Sequence, residues 1–198
     1  KTAYEIRLSL VGSEMCIRDS IYGAPATLSS FAFNTLMGLA GGMIGAFWWS
    51  KGNPFWMMSG GLAGIFICAG GLDIWYPGFA FILGTIAGCV IIPANNWLHN
   101  TFKIDDCVGA VSIHGVAGVL GVLAVGIFAA GYPSAGDIPP TSFVGQLVGC
   151  IVMILTGLLP GYVISYVMKS MGWLRVPDEV QAAGIDSAEL NLRAYADK

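Results

Sequence analysis

The chain has 198 residues, 56% of them hydrophobic and 11% charged, with 28 glycines, whereas soluble domains average about 25% charged residues. That balance excludes an ordinary soluble domain, and a formal net charge of -3 without any basic run leaves nucleic acid with no electrostatic footing as a partner. The five cysteines, Cys16, Cys68, Cys89, Cys107 and Cys150, form no CxxC pair; Cys68, Cys89 and Cys150 lie inside apolar runs and read as small buried hydrophobes.

The first segment, KTAYEIRLSLVGSEMCIRDS, is polar and carries Lys1, Arg7 and Arg18. It lacks the apolar core and the small-residue cleavage site of a signal peptide. Its SLVGSEMCIRD portion resembles translated sequencing-adapter read-through. Residues 1–20 therefore read as a non-native segment, with upstream sequence missing before Ile21.

A bilayer-spanning helix needs about 20 mostly apolar residues. Five segments reach that length: Phe31 to Trp49, Phe55 to Leu72, Gly78 to Trp97, Val108 to Ala130 and Phe143 to Met168. The pattern predicts an all-α fold, a polytopic transmembrane helix bundle whose five spans occupy residues 21–173. Stretches such as GLAGGMIGAF and GGLAGIFICAGG let helix backbones approach closely where no hydrophobic effect drives association. Between Ser20 and Lys169 only Lys51, Asp73, Lys103, Asp105, Asp106 and Asp137 carry charge, and all fall between spans. Lys51 follows span one, Lys103 follows span three, and Lys169 and Arg175 follow span five, so the positive-inside rule puts the C-terminus in the cytoplasm. Trp48, Trp49, Trp56, Trp75, Tyr76, Trp97, Tyr132 and Trp173 sit near span ends, where amphipathic rings favour the interface. The polar tail, 174–198, is too short for a core of its own and reads as a cytoplasmic appendage, disordered or docked on the bundle.

Span four carries the one intramembrane histidine. On an ideal α-helix the face centred on His114 gathers Ala110, Val111, Ala117, Gly118, Gly121 and Val125, all small or β-branched. That face leaves a narrow lumen beside the imidazole or room for a neighbouring helix. An ionisable group at such depth marks a substrate path or a proton relay, the bland alternative being a hydrogen bond between two helices. Neutral imidazole donates at one nitrogen and accepts at the other, which suits a conduit for a small weak acid. A metal would need more ligands; His99 lies at a span end and no Glu falls within the spans, so neither metal nor cofactor is expected. Asp105 and Asp106 stand where span four begins, where a carboxylate caps free N–H groups and opposes the helix dipole; a cation-recruiting site is the other reading.

DDCVGAVSIHGVAGVLGVLAVGIFA resembles the signature of the ammonium transporter family (Amt/Mep/Rh), with two aspartates, a short spacer, HG, and glycines at three-residue steps. FNTLMGLAGGMIGAFWWSKGNP resembles that family's seventh span and loop, SGGLAGIFICAGG its eighth, and AAGIDSAELNLRAY its tail, so the likeness runs from about Phe31 to Tyr195. It implies the second half, spans seven to eleven, of an eleven-span inverted-repeat fold that assembles as a homotrimer in the cell membrane. It further implies ammonium or ammonia as substrate, His114 as one of two pore histidines, Asp105 and Asp106 as the start of the pore helix, and a PII-type signalling protein as a cytoplasmic partner. ICAGGLDIWYPG departs from the family's TPAAG-like loop, and SAELNLRAY from its acidic, histidine-containing step.

Three functional classes compete on these residues. The first is an ammonium transporter, present as a fragment inactive by itself. The second is an ammonium sensor on the same scaffold. The third, an intramembrane enzyme, needs a nucleophile or metal constellation, and no GxSxG, HExxH or paired intramembrane carboxylate occurs.

Overall fold

The computed structural model describes residues 28–103, 106, 108–130 and 140–183. Residues 1–20, Asp105, Cys107, Tyr132, Asp137 and the end of the tail from 184 lie outside the described residues. Among the described residues six α-helices follow in order: α1 Leu28–Ser50, α2 Pro54–Cys68, α3 Pro77–Phe102, α4 Ala117–Phe128, α5 Phe143–Ser170 and α6 Asp178–Ala183. A 3-10 turn, Ala69–Gly71, extends α2, and a π-helical segment, Val111–Val116, leads into α4. No strand occurs among the described residues. Among the described residues five helical stretches are long and apolar enough to cross a membrane, with the π segment and α4 together making the fourth.

Local chemistry sets the boundaries. Lys51 and Gly52 take positive φ (55° and 87°) and close a tight turn after α1. Asn53 then caps α2, its side-chain oxygen accepting from the N–H groups of Phe55 (3.0 Å) and Trp56 (3.4 Å). Pro54 and Pro77 open α2 and α3, where a missing N–H costs nothing. Helix α3 passes through the polar NNWLHN run, beyond the expected end at Trp97, and stops at Lys103, whose left-handed backbone donates to the His99 carbonyl.

The chain forms two units, Lys1–Cys150 and Ile151–Lys198. In the first, glycine contacts join α1, α2 and α3. Helices α1 and α2 run antiparallel, with Gly38 against Gly64 and Gly42 against Gly60, whereas α1 and α3 run parallel, with Gly41 against Phe81 and Gly45 against Thr85. A methyl group on any of these glycines would overlap a backbone carbonyl of the facing helix. Dispersion and backbone proximity therefore hold the three helices together, as expected where lipid replaces water. Cys68 is fully buried and its thiol donates to the Ala80 carbonyl at 3.3 Å. At the far end of α2, Asn34 of α1 is buried and its amide donates to the Leu72 and Trp75 carbonyls, both at 2.7 Å.

Trp75 differs from the interfacial ring expected of it. It is 7% exposed, and its indole lies where a side chain on Gly71 would be. Trp48, Trp49, Tyr76 and Trp97 are exposed at helix ends. In the second unit, the last turns of α5 close at Gly172, where φ is +74° and the N–H groups of Gly172 and Trp173 return to the Lys169 and Met168 carbonyls. The short α6 follows, with Asp178 and Glu179 in its first turn.

Candidate functional site

The histidine helix begins with a carboxylate. Asp106 accepts from two consecutive N–H groups, Ala110 to Oδ1 and Val111 to Oδ2, each at 2.8 Å. The chain reaches that geometry through Gly109, which has φ +70° and donates to the Asp106 carbonyl at 3.1 Å; a side chain there would be strained. Two donors without partners in the first turn are thus satisfied by one negative group at the positive end of the helix dipole.

Beyond this start the helix is not α. Over Val111–Val116 it is a π-helix, and the Ala117 N–H reaches back to the Ser112 carbonyl, five residues earlier rather than four. The wider turn makes every later residue lag behind an ideal wheel, so the face expected around His114 divides. Ala110, Val111 and His114 are exposed, and Gly118 has open space where its side chain would be. Ala117 and Val125 are buried, and Gly121 lies against the Ile67 backbone of α2, where a Cβ would stand 2.5 Å from the Ile67 carbonyl oxygen. Gly121 serves the contact between helices, on a different side from His114. Glycine content alone could not separate the two uses, and nothing in the residue pattern marked the π turn.

His114 meets one aromatic neighbour. The ring of Phe66, near the end of α2, lies with its centroid 4.2 Å from the imidazole centroid and its plane tilted by 55°. No hydrogen bond engages the imidazole nitrogens among the described residues. Ser112 and Ile113, within the π segment, are buried, and the Ser112 hydroxyl donates to the Gly109 carbonyl at 2.9 Å. The backbone under the histidine is therefore fixed, while the His114 side chain is exposed. Such a side chain can hydrogen-bond to, or exchange a proton with, a group arriving on that face. Phe66 was not singled out by sequence, because a phenylalanine in an apolar span carries no distinguishing pattern.

The Ammonium Transporter Family model matches residues 18–195. The chain belongs to the ammonium transporter family. This family member is 32% identical over 174 residues to ammonium transporter Amt1 of Methanocaldococcus jannaschii, a match covering 86% of this chain and 43% of the relative. It is 33% identical over 165 residues to Amt2 of the same organism, covering 83% of this chain and 39% of the relative. A solved structure described as a "Sensor Amt Protein" superposes with a TM-score of 0.71 at 29% identity, covering 81% of this chain and 42% of that one. The chain thus spans about two fifths of the length of the relatives it matches. Family membership and the five apolar helices make it a multi-pass membrane protein. The matched region includes both the Asp106 cap and the π turn that carries His114.

Proposed function

We propose that the chain is the second half of an ammonium transporter, spans seven to eleven, and that it contributes one wall of a histidine-lined apolar pore for ammonium or ammonia. The observation that carries this reading is His114, held on a fixed backbone with its imidazole exposed beside the unfilled space at Gly118. In this reading a neutral imidazole takes or relays the proton that ammonium gives up. Hydrated potassium and sodium are excluded, because apolar walls offer no ring of carbonyls to replace their water. Ala110 and Gly118 line the pore, and Asp105 and Asp106 fix the start of its helix. The half by itself does not conduct, since His114 needs the opposing wall. The complete protein is a homotrimer in the cell membrane with its C-terminus in the cytoplasm, where a PII-type protein can act.

The test is His114→Ala in the full-length transporter. The expected result is a loss of ammonium-driven current, or of selectivity over potassium, by at least about tenfold, the scale of one proton-transfer group. Unaltered current and selectivity would remove His114 from the mechanism. A second reading, an ammonium sensor on the same scaffold, is supported by the likeness to the structure described as a sensor. Signalling that persists when His114→Ala has stopped flux would favour it.

A further inference from the structure

The backbone beneath His114 is pinned, but its own helix gives the imidazole little to lean on. One turn away on either side stand Ala110 and Gly118, and nothing lies within 4 Å of the place a Gly118 side chain would occupy. At Gly115 the nearest atom to such a position is a Val111 methyl at 3.8 Å. Among the described residues, the ring contact with Phe66 is the only aromatic contact His114 makes. Phe66 is well placed to act as a fixed platform. Its carbonyl accepts the N–H of Ala69 where α2 ends, and the next two residues, Ile67 and Cys68, are buried at 2% and 0% exposure. Helix α2 is itself held to α1 by the Gly38–Gly64 and Gly42–Gly60 contacts.

We propose that Phe66 is a positioning residue, whose ring holds the His114 imidazole at the angle from which it meets the substrate. Phe66 has no polar atom and exchanges no proton, so its effect on transport runs entirely through the histidine. The inference rests on the pore reading of His114 given above. Proton transfer depends on the direction of a ring nitrogen as well as its distance, and misplacement by about 1 Å can cost up to about a hundredfold in rate.

Two measurements test it. In the full-length transporter, in lipid bilayers with histidine isotopically labelled, solid-state NMR reads the ring order of His114 and, as a reference outside the site, of His99. Phe66→Ala is expected to lower the order parameter of the His114 ring and leave that of His99 unaltered, whereas Phe66→Tyr, which keeps the platform, preserves both. Unchanged order at His114 in Phe66→Ala overturns the proposal, as does equal loss at both histidines. In the full-length transporter, Phe66→Ala is expected to lower the maximal rate about tenfold with KM within about twofold, and Phe66→Tyr to restore it. The same loss in a His114→Ala background would overturn positioning and leave the pore reading intact. If His114→Ala alone leaves transport unaltered, the pore reading fails, and the NMR result still decides whether Phe66 orders the ring.

Discussion

The α1–α2–α3 cluster and the histidine helix are both rich in small residues, and they use them in opposite ways. In the cluster, Gly42 has the Gly60 carbonyl where its side chain would be, and Gly88 of α3 approaches the Gly42 carbonyl in turn. In the histidine helix, Gly118 has nothing within 4 Å of that position. The same residue type brings two backbones together in one region and leaves a space unfilled in the other. Small residues in a membrane span therefore mark a close approach or an opening, and only the neighbouring helix decides which.

Filling a contact in the cluster should have the largest effect. Gly42→Leu would drive its side chain into Gly60 and the Gly64 backbone, neither of which can move without separating α1 from α2. The expected cost is about 3 kcal/mol or more, read as loss of monodisperse protein after detergent extraction. A variant that purified and unfolded like the parent would show that α1 and α2 are not in contact there.

Within the histidine helix, Gly118 and Gly121 stand less than one turn apart and meet different surroundings, open space at one and the Ile67 backbone at the other. Gly121→Ala puts a methyl 2.5 Å from the Ile67 carbonyl oxygen and is expected to destabilise by about 1–3 kcal/mol. Gly118→Ala meets open space and is expected to stabilise by up to about 1 kcal/mol, the helix-propensity difference. Denaturation in mixed micelles gives both values. Equal effects would mean that Gly121 is not in contact with the Ile67 backbone, or that the space beside Gly118 is filled.

Much of this was legible in the sequence because bilayer thickness constrains it directly. Twenty-residue apolar runs separated by isolated charges read as spans. His114 stood out because an imidazole is costly in an apolar run. The π turn did not, since VSIHGV differs from any other β-branched and glycine-rich helix only once its neighbours are placed. Phe66 was hidden for the same reason, being one apolar ring among many until α2 is set against the histidine helix. Trp75 misled in the other direction: a tryptophan near a span end suits the interface, yet Gly71 and the Asn34 clamp draw it inward.

That clamp also carries the tight packing of the cluster out to the turn between α2 and α3, and Asp73 measures how dry the turn is. Asn34 holds the carbonyls of Leu72 and Trp75 on either side of it. One Asp73 carboxylate oxygen is buried without a hydrogen-bond partner. Burial pushes the Asp73 carboxyl above its ordinary value, against a smaller opposing effect of its own backbone N–H. The folded chain thus holds this proton more tightly than the unfolded chain does. The stabilisation is fully present below the unfolded aspartate pKa of about 3.9 and is lost as pH rises through the folded value. Asp73→Asn removes the burden of a desolvated charge, so it should raise the unfolding midpoint at pH 7 and lose that advantage as pH falls to about 3. The shift should be smaller than those at Gly42 and Gly121, because Asp73 is only partly buried. A variant less stable than the parent at pH 7 would mean that the ionised carboxylate has a partner, and that the turn is wetter than the glycine-packed helices it joins.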